Sequence, residues 1–189
     1  MTSPNHTTLL HDLIRMVQCL LALLLLSIPA PVLAHESQNL EHQVKTAFLY
    51  NFSRFVTWPE ATLQDHPEFN LCVIGSDPFG THLDKLTGKA VQGHTLVVRH
   101  LGNPAMVDDC QLVYIGEDTE LTEILLLLGE QPVLTVSDTA GFIEQGGIIQ
   151  FMLIDNKVRF RINVDAANSA GLSISSKLLS LAVSVTGGK

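Results

Sequence analysis

The sequence predicts one α/β domain of three layers: a mostly parallel central sheet, helices on both faces and a C-terminal β-hairpin. Three observations carry this. Between Phe69 and Val136 short apolar runs alternate with helical segments, the pattern of parallel strands joined by crossover helices. After Gly146 the rhythm changes to two strand-like runs around Asp155-Asn156, a hairpin turn signal. Ahead of both, Val44 to Pro59 (VKTAFLYNFSRFVTWP) repeats apolar residues at helical spacing.

The chain opens with Arg15, an apolar run from Met16 to Ile28, and Val32-Leu33-Ala34. That order is expected of an export signal cleaved after Ala34, leaving a domain of residues 35–189 in the periplasm. The run is short for a bilayer span, and Cys19 lies within it rather than at its end. Cleavage would remove one base (Arg15) and one acid (Asp12), so the net charge of −8 is unchanged. An acidic exported domain argues against nucleic acid and against electrostatic docking on anionic lipid.

In the mature chain His35 to Asn39 reads as a polar lead-in and Leu40 as the start of the first helix. Val44, Ala47, Phe48, Phe52, Phe55 and Val56 fall on one helical face, with Lys45, Asn51, Ser53 and Arg54 largely off it. Trp58-Pro59 is the expected stop. Thr62 to Pro67 reads as a loop, and Phe69 to Ile74 as a buried strand ending at Gly75. Asp77-Pro78 should start a helix to about Leu86. Strands are expected at Leu96–Arg99, Cys110–Ile115 and Val133–Val136. A helix through Ile124 to Leu128, capped by Thr119, is apolar nearly all round and should be well buried.

The hairpin strands are Gly147–Leu153 and Lys157–Ile162. In the second, Val158, Phe160 and Ile162 alternate with Lys157, Arg159 and Arg161, which makes one face wet and basic. The first lacks that alternation and should be covered on both faces. Asn163 or Asp165 should cap a short helix closed by Gly171, and Ser175 to Val183 reads as a last helix.

Little in the sequence carries chemistry. Gly75 to Gly80 sits where phosphate loops sit but has no P-loop Lys-Ser/Thr, and no G-x-S-x-G elbow exists. His82, His94 and His100 lack metal-ligand spacing. No catalytic residue, metal or cofactor is expected, and the chain does not read as an enzyme.

Several stretches together resemble the YfiR family of periplasmic regulatory proteins. They are Ala47 to Phe52 with Phe55 to Pro59, Cys72 to Gly75, Asp77 to Gly80, Val133 to Asp138, Gly146 to Phe151, Val158 to Asn163, and Gly171 to Leu179. The resemblance implies a protein that represses an inner-membrane diguanylate cyclase from the periplasmic side. An outer-membrane lipoprotein would relieve this by sequestering it, and a homodimer is also compatible. The sequence departs from the family pattern where Arg161 replaces an acidic residue.

The expected contact surface is the C-terminal half. There Phe151, Leu172 and Ile174 stand with Lys157, Arg159 and Arg161, and the segment Asn163 to Lys177 follows. The alternative function is a periplasmic small-ligand binder using the crevice beyond Gly75, Gly116 and Ser137. Cys72 and Cys110 remain after cleavage of the leader. A strand order 2-1-3-4 would bring them together, either as a disulfide or as two buried thiols.

Overall fold

Helix α1 is Pro31–Phe55, and its part from Val44 to Phe55 packs on the sheet and supplies its aromatic cover. The computed structural model describes residues 15–18, 20, 31–64 and 66–188, so most of the expected export signal lies outside the described residues. The chain divides into two units, Met1–Gln38 and Asn39–Lys189, and the second holds the fold. Among the described residues no helix is long and apolar enough to cross a membrane.

After α1 come β1 (Val56–Thr57), α2 (Glu60–Gln64), β2 (Glu68–Ile74), α3 (Thr81–Asp84), β3 (Ala90–Val91) and β4 (His94–Leu101). A 3-10 turn, Pro104–Asp109, leads to β5 (Leu112–Ile115), α4 (Leu121–Leu128) and β6 (Leu134–Ser137). The C-terminal part holds β7 (Ile149–Ile154), β8 (Lys157–Asn163), α5 (Val164–Ser169), β9 (Ser173–Ile174), α6 (Ser176–Leu179) and β10 (Ser184–Thr186).

Eight strands form one sheet in the order β10-β8-β7-β6-β5-β2-β4-β3. The run β7-β6-β5-β2-β4 is parallel throughout, and the expected 2-1-3-4 order holds as β4-β2-β5-β6. Antiparallel β8 closes one side through a hairpin whose two turn residues, Asp155 and Asn156, both have positive φ. β1 and β9 make a separate two-stranded ribbon.

Alternation along each strand serves two cores. Phe69, Leu71, Val73, Leu112, Tyr114, Leu134, Val136, Ile149, Phe151, Phe160 and Ile162 face the α1 side. Cys72, Ile74, Val113 and Ile115 face the other side, under Leu121, Ile124 and Leu128 of α4 and under Phe142. The three-layer arrangement follows from that division. The first core is built on Phe48, Phe52, Phe151 and Phe160, whose ring centroids lie 5.1–6.2 Å apart. Each such pair contributes about 0.5–1.5 kcal/mol beyond its buried area.

Several local expectations change. α1 begins at Pro31, through the expected lead-in, and ends at Phe55 because Val56 and Thr57 pair with β9. Lys45 and Ser53, expected off the apolar face, are both buried. The expected loop after Thr62 contains the end of α2. The helix expected from Pro78 is a single turn, with the Asp77 carboxylate accepting from Phe79 N at 2.7 Å before it.

Thr119 caps nothing; Glu120 occupies the N-cap of α4. α4 is covered on one flank only, leaving Leu126 77 % exposed. β7 is buried at its start but exposes Leu153 and Ile154 at the hairpin tip. The last helix is one turn, after which the chain straightens into β10 against β8.

Candidate partner-binding surface

Alternation puts Lys157, Arg159 and Arg161 on the outer face of β8, opposite buried Val158, Phe160 and Ile162. The three bases are held differently. Arg161 donates to Glu144 at 3.1 Å and also to the Gln150 amide oxygen. Backbone hydrogen bonding, then Arg161, hold the Glu144 carboxyl below the usual carboxylate range. Lys157 and Arg159 are exposed and join no ion pair among the described residues.

Asn163 ends β8 and caps α5, accepting from Ala166 N at 3.0 Å. Lys177 lies with its Nζ 4.9 Å from the centroid of the Phe55 ring. The Ser175 hydroxyl accepts from Leu178 N at 3.3 Å, which accounts for it as a helix cap.

The apolar half of the expected surface lies elsewhere. Phe151 is 1 % exposed inside the aromatic cluster and Leu172 is 2 % exposed, so neither offers surface to a partner. Ile174 sits in the β9 ribbon, half-buried opposite Val56. At the hairpin tip Ile154 is exposed on the face of the basic stripe, while Leu153 there and Val183 and Val185 around β10 are exposed on the opposite face. A strand pattern that switches from buried to exposed within one run is invisible to periodicity. The only warning was the nearby turn.

A second cluster escaped sequence reading. Lys45 donates to the Asp138 carboxylate at 2.9 Å and pairs with Glu41 at 2.6 Å. Tyr114 donates to the other Asp138 oxygen at 2.8 Å. Burial opposes the charged amine of Lys45, but the hydrogen bonds and charges of Glu41 and Asp138 outweigh it and hold it above the ordinary lysine range. Burial and then the Asp138 charge push the Tyr114 hydroxyl well above the ordinary tyrosine range. The available signal was a lysine one residue from an apolar stripe, with an acid ending the apolar run Val133 to Ser137.

The crevice at the carboxyl ends of the parallel strands is partly filled. The Ser137 hydroxyl donates to Ile115 O at 2.7 Å, and a Cβ on Gly116 would meet Ser76 O at 2.4 Å. The space that remains is a cavity of about 490 Å³ between the ends of β2 and β4 and the start of α4. Asp118, Glu120 and Glu123 line it. Among the described residues no cluster of His, Cys, Asp and Glu is arranged to hold a metal.

Cys72 and Cys110 are joined in a disulfide with Cα atoms 6.0 Å apart. The bond links β2 to the segment entering β5, its neighbour in the sheet.

A family model described as YfiR/HmsC-like matches residues 42–183, from α1 to just before β10. The chain belongs to the YfiR/HmsC-like family. Membership supports a regulatory role in the periplasm. Among solved structures, the chain is similar to a conserved domain protein from Vibrio cholerae O1 biovar El Tor str. N16961, at 12 % identity and a TM-score of 0.48. That match covers 66 % of this chain and 56 % of the other, so it spans little more than half of that relative's length.

Proposed function

We propose that this protein is a periplasmic repressor that binds the periplasmic part of an inner-membrane diguanylate cyclase and holds it inactive. It lowers cyclic-di-GMP without turnover, and an outer-membrane lipoprotein relieves the repression by sequestering it. The family match over residues 42–183 carries this reading. The exposed bases Lys157 and Arg159, with Ile154 exposed on their face of the hairpin tip and Leu153 exposed on the other, support the hairpin as the contact surface, since apolar groups with charged surroundings suit a regulated contact. Asn163 ends β8, and Lys177 lies on α6 over the Phe55 ring. Repression needs only a bound form that favours the inactive cyclase; about 3 kcal/mol of differential affinity shifts that equilibrium more than a hundredfold.

Deletion of the gene should raise cyclic-di-GMP and surface attachment, and re-expression should reverse both. Unchanged cyclic-di-GMP in a clean deletion, with the cyclase present and expressed, would overturn the reading.

The acid-lined cavity beyond Gly75 favours a second reading, a small-ligand binder. Its test is a thermal shift with a metabolite panel, because a ligand bound only to the native state raises the melting temperature.

A further inference from the structure

The sheet ends in β10, three residues long and exposed throughout. It pairs with β8 in parallel, Ser184 beside Arg161 and Val185 beside Ile162. That register assigns its faces. Val185 lies on the side of buried Phe160 and Ile162, and Val183, two residues earlier, shares that side. They are 43 % and 46 % exposed. Leu153, opposite Val158 on β7, extends the same apolar row to the hairpin tip. The opposite face of the same edge carries Ser184, beside Arg161, and Thr186, beside Asn163; Arg159 and Lys157 follow on that face of β8, two and four residues before Arg161.

The backbone is open as well. Asn163 N donates to Ile148 O, so the odd-numbered residues of β8 bond to β7 and the even-numbered ones face β10. Among the described residues β10 has no neighbour on its other side. An edge that is apolar on one face and basic on the other fits one kind of strand. That strand is extended and alternates apolar with acidic residues.

We propose that β10 is a docking edge for an acidic, alternately apolar segment of the partner, which extends the eight-stranded sheet by one strand. Its apolar side chains cover Val183 and Val185 and its carboxylates meet Arg159 and Lys157. The proposal rests on the repressor reading and gives that contact a mode and a partner chemistry. Charge complementarity selects this occupant in a chain whose net charge is −8 but whose β8 face is basic. A second copy joined edge to edge would place two basic stripes on one face, which opposes self-pairing.

The probe is a short synthetic peptide alternating valine and glutamate, titrated against the full chain by fluorescence anisotropy. The controls are its valine–lysine counterpart and a block isomer of the same composition. The alternating acidic peptide should bind at least about tenfold more tightly than either control, a difference of about 1.4 kcal/mol. Amide exchange should slow across residues 183–187.

The double variant Val183→Lys/Val185→Lys should lose the binding. Lys157→Glu/Arg159→Glu, altered only at exposed positions, should lose the preference for acid. Equal binding of all three peptides, protection confined to another segment, or a dimer that the edge variants abolish would overturn the proposal. Deletion that raises cyclic-di-GMP without peptide binding removes the docking edge and keeps the repressor; the reverse pairing of results removes the repressor alone.

Discussion

Lys45 of α1 donates to Asp138, just past the end of β6, across 2.9 Å, and is 4 % exposed. This ion pair ties the aromatic helix to the carboxyl end of the sheet. Glu41 and Tyr114 complete it, one through Lys45 and one through Asp138. Each charge therefore has a partner, which buried charges require. Breaking the pair from one side should be costly. Lys45→Met should destabilise by about 2–3 kcal/mol, at or below the usual range because Asp138 retains some solvent. Asp138→Asn should cost a similar amount. The double variant should cost less than the sum, with a coupling of about 1–2 kcal/mol in urea denaturation. Full additivity would mean that the two side chains do not depend on each other.

The same cluster predicts an alkaline limb. Lys45 and Tyr114 both have folded-state values above their ordinary ones, so the folded protein holds protons that the unfolded chain releases. Their contribution is fully present below about pH 10, where both unfolded groups remain protonated. It is lost as pH rises above that toward the folded values. Stability measured from about pH 9 to pH 11 should fall for the native protein, and less steeply for Tyr114→Phe and for Lys45→Met. Parallel curves for all three would remove the cluster as the cause.

Cys72 and Cys110 close a loop with a sequence separation of 38. On the chain-entropy account such a loop contributes about 4 kcal/mol by restricting the unfolded chain. Reduction should therefore lower the melting temperature by about 8–15 °C, at roughly 2–4 °C per kcal/mol for a domain of this size. Thiol titration in denaturant without reductant should find none on a chain of residues 35–189, which leaves out Cys19. Two thiols per chain and no effect of reductant would contradict the bond.

Much of this architecture was legible because it rests on local chemistry. Gly75 ends β2, Asp155-Asn156 turns the hairpin, and alternation along β8 separates Phe160 from Arg161. The adjacency of β2 and β5 followed from a common topology of parallel sheets. What was missed depends on partners distant in sequence. β1 is strand only because Ser173 and Ile174 return beside it. β3 is two residues held against β4 by the Gln92-Gly93 turn, too short a strand for alternation to mark. Phe151 and Leu172 were expected at a contact because the regular strand–helix pattern breaks in the C-terminal half. The rings of Phe48 and Phe52 cover the first, and only packing of α1 reveals it.

Gly75 is a site where backbone conformation and packing demand glycine together. Its φ is +77°, and a Cβ there would lie 2.0 Å from Thr119 Oγ1. Gly75→Ala should cost about 3 kcal/mol or more, part from the left-handed conformation, about 1–2 kcal/mol, and part from the clash. Adding Thr119→Ala removes the nearer oxygen and should recover some of the second part only, because Asp118 Oδ1 would still lie 2.7 Å from the Cβ. Complete recovery, or none, in the double variant would refute that division.

The bases on β8 should separate binding from folding. Lys157 and Arg159 are exposed, and neither is paired among the described residues. Lys157→Glu/Arg159→Glu should change stability by less than about 0.5 kcal/mol. Arg161 is different, since its guanidinium holds Glu144 at 3.1 Å and also bonds Gln150. An acid at 161 would face Glu144 across the same gap, so Arg161→Glu should lower stability as well as weaken the partner. Arg161→Gln isolates the loss of charge with milder structural damage. If the stripe meets an acidic partner, Lys157→Glu/Arg159→Glu should raise cyclic-di-GMP toward the deletion level while the protein's melting curve and abundance stay unchanged. The contact should also weaken with added salt in the native protein and lose most of that dependence in the variant. Normal repression by the doubly reversed protein at native abundance would remove the β8 face from the interface.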